Sequence, residues 1–98
     1  MFIKIHKSYR TVVALADKDI IGKTFSENHK HLHIRPSFFQ GKEITEEEAI
    51  EVLKKQVLED ATFNIVGEKA VRIAKKAGII KEANIAKVQN IPFALVLI

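Results

Sequence analysis

The run Phe2-Ile3-Lys4-Ile5-His6-Lys7-Ser8-Tyr9-Arg10-Thr11-Val12-Val13-Ala14-Leu15-Ala16 sets the fold class of this chain. Residues 2–7 alternate apolar and polar side chains, the period of a strand with one covered face. Residues 11–16 form a second Ile- and Val-type run, and Ser8-Tyr9-Arg10 between them suits the short loop of a hairpin. An antiparallel pair therefore starts the domain, with Ile3, Ile5, Val13 and Leu15 turned to the core. Asp17-Lys18-Asp19 breaks the second strand, and residues 20–25 read either as a short helical turn or as an irregular crossing segment.

Further along, His31-Leu32-His33-Ile34-Arg35 alternates strictly and predicts a third strand with Leu32 and Ile34 inward, ended by Pro36. Residues 36–42 read as a loop pinned by Phe38 or Phe39. Thr45-Glu46-Glu47-Glu48 is a capping box, so a helix starts there, with Ala49, Ile50, Leu53 and Val57 on one face. A second helix is expected over 67–77, with Val66, Ala70, Ile73, Ala74 and Ala77 as its apolar stripe and Gly78 as its stop. Its opposite arc carries Lys69, Arg72, Lys75 and Lys76. A weak strand follows at 85–88, then a turn at Gln89-Asn90-Ile91-Pro92 and the apolar run Phe93-Ala94-Leu95-Val96-Leu97-Ile98.

These elements define one α+β domain over residues 1–98, in the order β-β-β-α-α-β-β. A mostly antiparallel sheet of about five strands has two helices on one face, with loops at Gly41 and Pro92. The final run must be covered, either centrally in the sheet or at a contact with a second copy of the chain, and Leu95 and Leu97 are its core positions.

Composition narrows the function. The chain has no Cys, which removes disulfides, thiolate metal sites and a cysteine nucleophile, and fits a cytoplasmic location. Its longest apolar run is six residues, against roughly 20 for a membrane helix, so no membrane association is expected. The alternating amino-terminal pattern reads as mature structure, not a signal peptide. The net charge of +4 is distributed as +5 over residues 1–42, −5 over 43–60 and +4 over 61–98. Blocks of this kind produce separate acidic and basic surfaces, and a basic surface suits an anionic partner such as RNA.

His29, His31 and His33 occupy alternate positions, with Glu27 in phase. On a strand, neighbours two residues apart lie about 7 Å apart and can share a metal, whereas His29 and His33 are roughly 13 Å apart. Two of the three can therefore bind one ion, with further ligands needed from elsewhere. Gly22-Lys23-Thr24 has the end of a phosphate-binding loop, but Asp17 stands where that motif requires its first glycine. At Asn64-Ile65-Val66-Gly67-Glu68, Glu68 is expected to cap the second helix in place of a bound anion. No nucleophile elbow is present, and the paired carboxylates of 43–60 are explained by capping and solvation, so enzymatic activity and a cofactor have no positive support.

The segments Leu15-Ala16-Asp17, Gly22-Lys23-Thr24-Phe25, Asn64-Ile65-Val66-Gly67-Glu68-Lys69-Ala70-Val71, Gly78 and Ile91-Pro92-Phe93-Ala94 together resemble the archaeal family called domain of unknown function 424. The likeness extends over nearly the whole chain, and Asn64-Ile65-Val66-Gly67-Glu68 is its most distinctive part. It implies a small cytoplasmic archaeal protein with no established activity, loosely associated with RNA and translation; the histidine cluster lies outside the family pattern. The leading expectation is an RNA-associated accessory module binding through Lys69, Arg72, Lys75 and Lys76, helped by Lys23, Lys81 and Lys87. The alternatives are a subunit that self-associates through residues 93–98 and a metal-binding protein using His29, His31 and His33.

Overall fold

In the computed structural model, which describes residues 1–97, β1 (Phe2–His6) and β2 (Val12–Ala16) form the expected antiparallel hairpin, with Ile3 opposite Leu15 and Ile5 opposite Val13. Two further strands, β3 (Thr24–Glu27) and β4 (Lys30–His33), make a separate two-stranded sheet. A four-residue helix α1 (Pro36–Phe39) follows, then the short β5 (Lys42–Glu43), α2 (Glu46–Leu58), β6 (Thr62–Val66), α3 (Glu68–Lys76), β7 (Ala86–Val88) and β8 (Ile91–Val96). The main sheet has the order β5-β1-β2-β6-β8-β7 and is antiparallel except for the β2/β6 pair.

The class is therefore α+β, with two long helices on one face of a mostly antiparallel sheet. Ile3, Val13, Leu15, Phe63 and Ile65 of the sheet pack against Ala49 and Leu53 of α2 and Ala70, Ile73 and Ala74 of α3 in one apolar cluster. Small alanines on both helices allow close approach to the strands. The other face is covered in part by the β3–β4 hairpin and α1: Ala14, Ala16 and Val66 pack under Ile20, Ile34 and Phe39, with Phe25 and Leu32 at the margin.

The element order differs from the sequence expectation. Residues 36–42, read as a loop, contain α1, with Pro36 at its first position, and the edge strand β5, while the strand expected over 31–35 runs over 30–33 in the separate hairpin and not in the main sheet. Residues 62–66 form a strand, and Val66 belongs to it, facing the hairpin, instead of starting the stripe of α3. Residues 24–27 also form a strand, while 18–20 make a single 3-10 turn.

Local signals set the helix ends. Thr45 Oγ1 accepts from the Glu48 amide at 3.2 Å and Glu48 Oε1 accepts from the Thr45 amide at 2.9 Å, which completes the capping box. These hydrogen bonds from Thr45 hold the Glu48 carboxyl below its usual range, so their stabilisation is present at neutral pH and fades as the pH falls through that lowered value. Gly78, at φ +79°, ends α3 in the left-handed region that favours glycine.

Four residues assigned to the core are exposed: Ile5 (36%), Val57 (38%), Leu95 (55%) and Leu97 (73%). In β8 the buried positions are Pro92 and Ala94, so Leu95 faces outward. A continuous apolar run has no period from which to read this phase. The β-run reaches Val96, and residue 98 lies outside the described residues. Pro92 stands inside β8, opposite Lys87, not in a loop. Its carbonyl accepts from the Gly67 amide at 2.9 Å on the side where β6 has already turned into α3, so the missing proline N–H breaks no ladder bond.

Candidate nucleic-acid interface

The orientation of α3 is fixed from β2. Asp17 follows directly after that strand, is 7% exposed, and its amide donates to the Val66 carbonyl at 3.1 Å, extending the parallel β2/β6 ladder by one residue. Its carboxylate then spans the start of the helix: Oδ2 accepts from the Lys69 amide at 3.0 Å and Oδ1 from the Ala70 amide at 2.8 Å. Two amides that the helix leaves unpaired are thereby satisfied by a residue 52 and 53 positions away, with its negative charge at the positive end of the helix dipole.

Asp17, not Glu68, is the cap, and the carboxylate occupies the place an anion would take. Gly67 allows this approach. It has φ +109°, and a Cβ there would lie 2.7 Å from both Cβ and Oδ1 of Asp17. The segments Leu15-Ala16-Asp17 and Asn64-Ile65-Val66-Gly67-Glu68 are thus two halves of one structural lock.

So held, α3 buries Ala70, Val71, Ile73 and Ala74 and turns Arg72, Lys75 and Lys76 outward. Between α3 and the chain leading into β7 runs a groove of about 490 Å³, with Val71, Ile85 and Pro92 in its apolar lining. Arg72, Lys75, Lys76 and Lys87 surround it. Carboxylates oppose these cations. Lys75 Nζ lies 2.7 Å from Glu82, while Glu46 at the start of α2 receives Lys76 at 3.1 Å and Arg72 at 3.6 Å.

The Lys76 hydrogen bond and charge, with Arg72, hold the Glu46 carboxyl below its ordinary range, and Lys75 does the same to Glu82, with a smaller contribution from Lys87. Both stay ionised at neutral pH and occupy part of the cationic rim. All five partners are substantially solvent-exposed, and pairs of this kind contribute little, so an incoming polyanion can displace them.

The remaining cations assigned to this surface are elsewhere. Lys69 lines a depression with Asp17, Lys18, Asp19 and Glu43, where acidic groups equal or exceed the basic ones. Lys23 belongs to the segment covering the opposite sheet face, its carbonyl accepting from the Ile34 amide at 3.0 Å. Lys81 starts the 3-10 turn Glu82–Asn84, its amide donating to Asn84 Oδ1 at 2.8 Å, outside the groove lining. Of the aromatic rings, Tyr9 is fully exposed and Phe39 is buried.

His31 and His33 share one face of β4, with His31 Nδ1 at 3.0 Å from Ser26 Oγ. His29 lies in the turn before β4, not on the strand as its alternate spacing implied. Among the described residues no group of three His, Cys, Asp or Glu side chains is placed to hold a metal ion. Nor is any helix there long and apolar enough to cross a membrane.

The fold and sequence pattern agree with the comparison to known families. The chain belongs to the family described as "Protein of unknown function (DUF424)", whose model matches residues 6–98. Among solved structures it is similar to an uncharacterized conserved protein from Methanopyrus kandleri, with a TM-score of 0.86 and 26% identity over 97% of this chain and 88% of that one. No curated protein matches the sequence at a significant level.

Proposed function

We propose that this protein is an RNA-associated accessory module that holds the RNA backbone in the groove between α3 and β7. The reading rests on one observation: Arg72, Lys75 and Lys76 of α3 and Lys87 of β7 converge on a single groove. Lys69, Lys23 and Lys81 do not belong to this surface. Phosphate contacts of this type supply sequence-independent, salt-dependent affinity, which suits an accessory role without base-specific readout.

Filter binding to bulk RNA at low salt tests it. Lys75→Glu/Lys76→Glu is expected to weaken binding about 100-fold, because each reversal removes one phosphate contact and adds a repulsion. Lys23→Glu, on the opposite face, is expected to leave affinity unchanged. Glu46→Gln/Glu82→Gln is expected to tighten binding several-fold, since both carboxylates compete for the same cations. Equal binding by wild type and the Lys75/Lys76 variant would remove the proposal.

A second reading has its own support. In β8 only residues 91–93 pair with β7, so Ala94, Leu95 and Val96 pair on one side with β6 and present an open edge on the other. Such an edge, flanked by exposed Leu95 and Leu97, suits self-association by strand pairing. Sedimentation at high concentration distinguishes the cases: a dimer dispersed by Leu97→Lys supports this contact, and a monomer throughout opposes it.

A further inference from the structure

A second groove, of about 440 Å³, opens on the sheet face away from α3, between β4, α1 and the β6/β8 pair. The hairpin covers this face over Ala16 and Val66 but leaves it open around Asn64 and Leu95, which are register partners on neighbouring strands. Asn64 is the unexpected residue. It stands mid-strand between the fully buried Phe63 and Ile65, in a position where asparagine is disfavoured, and is itself only half-buried. Its carboxamide has no hydrogen-bond partner among the described residues, and the same holds for the side chains of Arg35 and His33 on the groove wall. Three polar groups without protein partners thus line one cavity.

The wall also includes Phe38, whose ring is fixed in place. It stacks on His6 with centroids 4.6 Å apart and meets Phe39 edge-on at 5.0 Å. His6 Nε2 donates to the Phe38 carbonyl at 2.8 Å, tying α1 to β1. A preorganised aromatic wall, an apolar floor at Leu95 and a few convergent polar groups are the usual composition of a small-ligand site, and the volume suits one nucleotide.

The polar groups narrow the ligand class. A carboxamide offers a donor and an acceptor side by side, the complement of the N6/N7 edge of adenine. A guanidinium is suited to phosphate, and phenylalanine and leucine to the faces of a base. We propose that this groove binds an adenine nucleotide, with Asn64 reading the base edge, Arg35 contacting the phosphate, and Phe38 and Leu95 packing against the base. The site lies on the opposite sheet face from the α3 groove and shares no residue with it, so either can fail without the other.

The test is an amide chemical-shift titration of the full chain with AMP, UMP and inorganic phosphate separately. AMP is expected to produce saturable shifts at Asn64, His33, Arg35 and Phe38, leave the α3 amides unmoved, and bind about tenfold tighter than UMP. Asn64→Ala is expected to abolish the preference for AMP over UMP. Arg35→Ala, at an exposed position that leaves the core intact, is expected to weaken AMP and UMP alike by about tenfold, and it keeps the test decisive even if the strand variant misfolds. No saturable shift at millimolar AMP, equal affinity for AMP and UMP, or full reproduction of the shifts by phosphate would overturn the proposal. A short oligoadenylate arm assigns the source: competition with AMP at lower concentration supports a nucleotide within RNA, and failure to compete supports the free nucleotide.

Discussion

Replacing Asp17 with alanine is expected to destabilise the domain by about 2–4 kcal/mol, although the side chain is not part of the α3 groove. The carboxylate takes one hydrogen bond from each of two amides at the start of α3, and nothing else in the described structure accepts from them. Removing it leaves the buried Ala70 amide and the part-buried Lys69 amide unpaired, and it removes a negative charge from the positive helix end. Because a domain of this size has only about 5–15 kcal/mol of stability, the melting temperature is expected to fall by roughly 10–30 °C. Asp17→Asn keeps one acceptor and is expected to lose about half as much. Thermal or urea unfolding followed by circular dichroism measures both, and a loss under about 0.5 kcal/mol for Asp17→Ala would show that the lock does not hold α3.

Gly67→Ala is expected to cost about as much, for two separate reasons. A φ of +109° is strained for any residue with a Cβ, and the added methyl would press on Asp17 Cβ and Oδ1 at 2.7 Å. Relief requires the carboxylate to withdraw, which breaks the cap that Asp17→Ala also removes. The two substitutions are therefore expected to be non-additive, the double variant losing about 1–3 kcal/mol less than the sum of the singles. Strict additivity in such a cycle would mean that Gly67 acts through its backbone conformation alone.

What the sequence showed and what it concealed follow from the range of the interactions. The β1–β2 hairpin, the Thr45 capping box and the Gly78 stop are made by residues within a few positions of one another, so composition and spacing suffice to read them. The Asp17 cap joins residues more than fifty apart, and before folding Glu68 is the nearer candidate for the same work. Strand β6 was concealed by Asn64 and Gly67, two turn-type residues that in the folded chain face a groove and permit a close approach. The phase of β8 was unreadable because six apolar residues in a row carry no alternation.

The basic arc of α3 was legible from helical spacing, but its membership was not. Lys87 joins it through β7, Lys23 is carried to the other sheet face, and Glu46 reaches Lys76 and Arg72 only because α2 and α3 pack side by side. Helical periodicity places side chains on a face; only the packing of elements shows which charges meet there.

The salt dependence of RNA affinity tests the role of this groove most directly. Contact of Arg72, Lys75, Lys76 and Lys87 with single-stranded RNA predicts a slope of log K against log salt near −3, from about 0.7 per neutralised phosphate. In Lys75→Ala/Lys76→Ala, which removes two contacts without adding repulsion, the slope is expected to fall to about half that value. A slope near zero, or one unchanged by the double substitution, would contradict the assignment of RNA to the α3 groove.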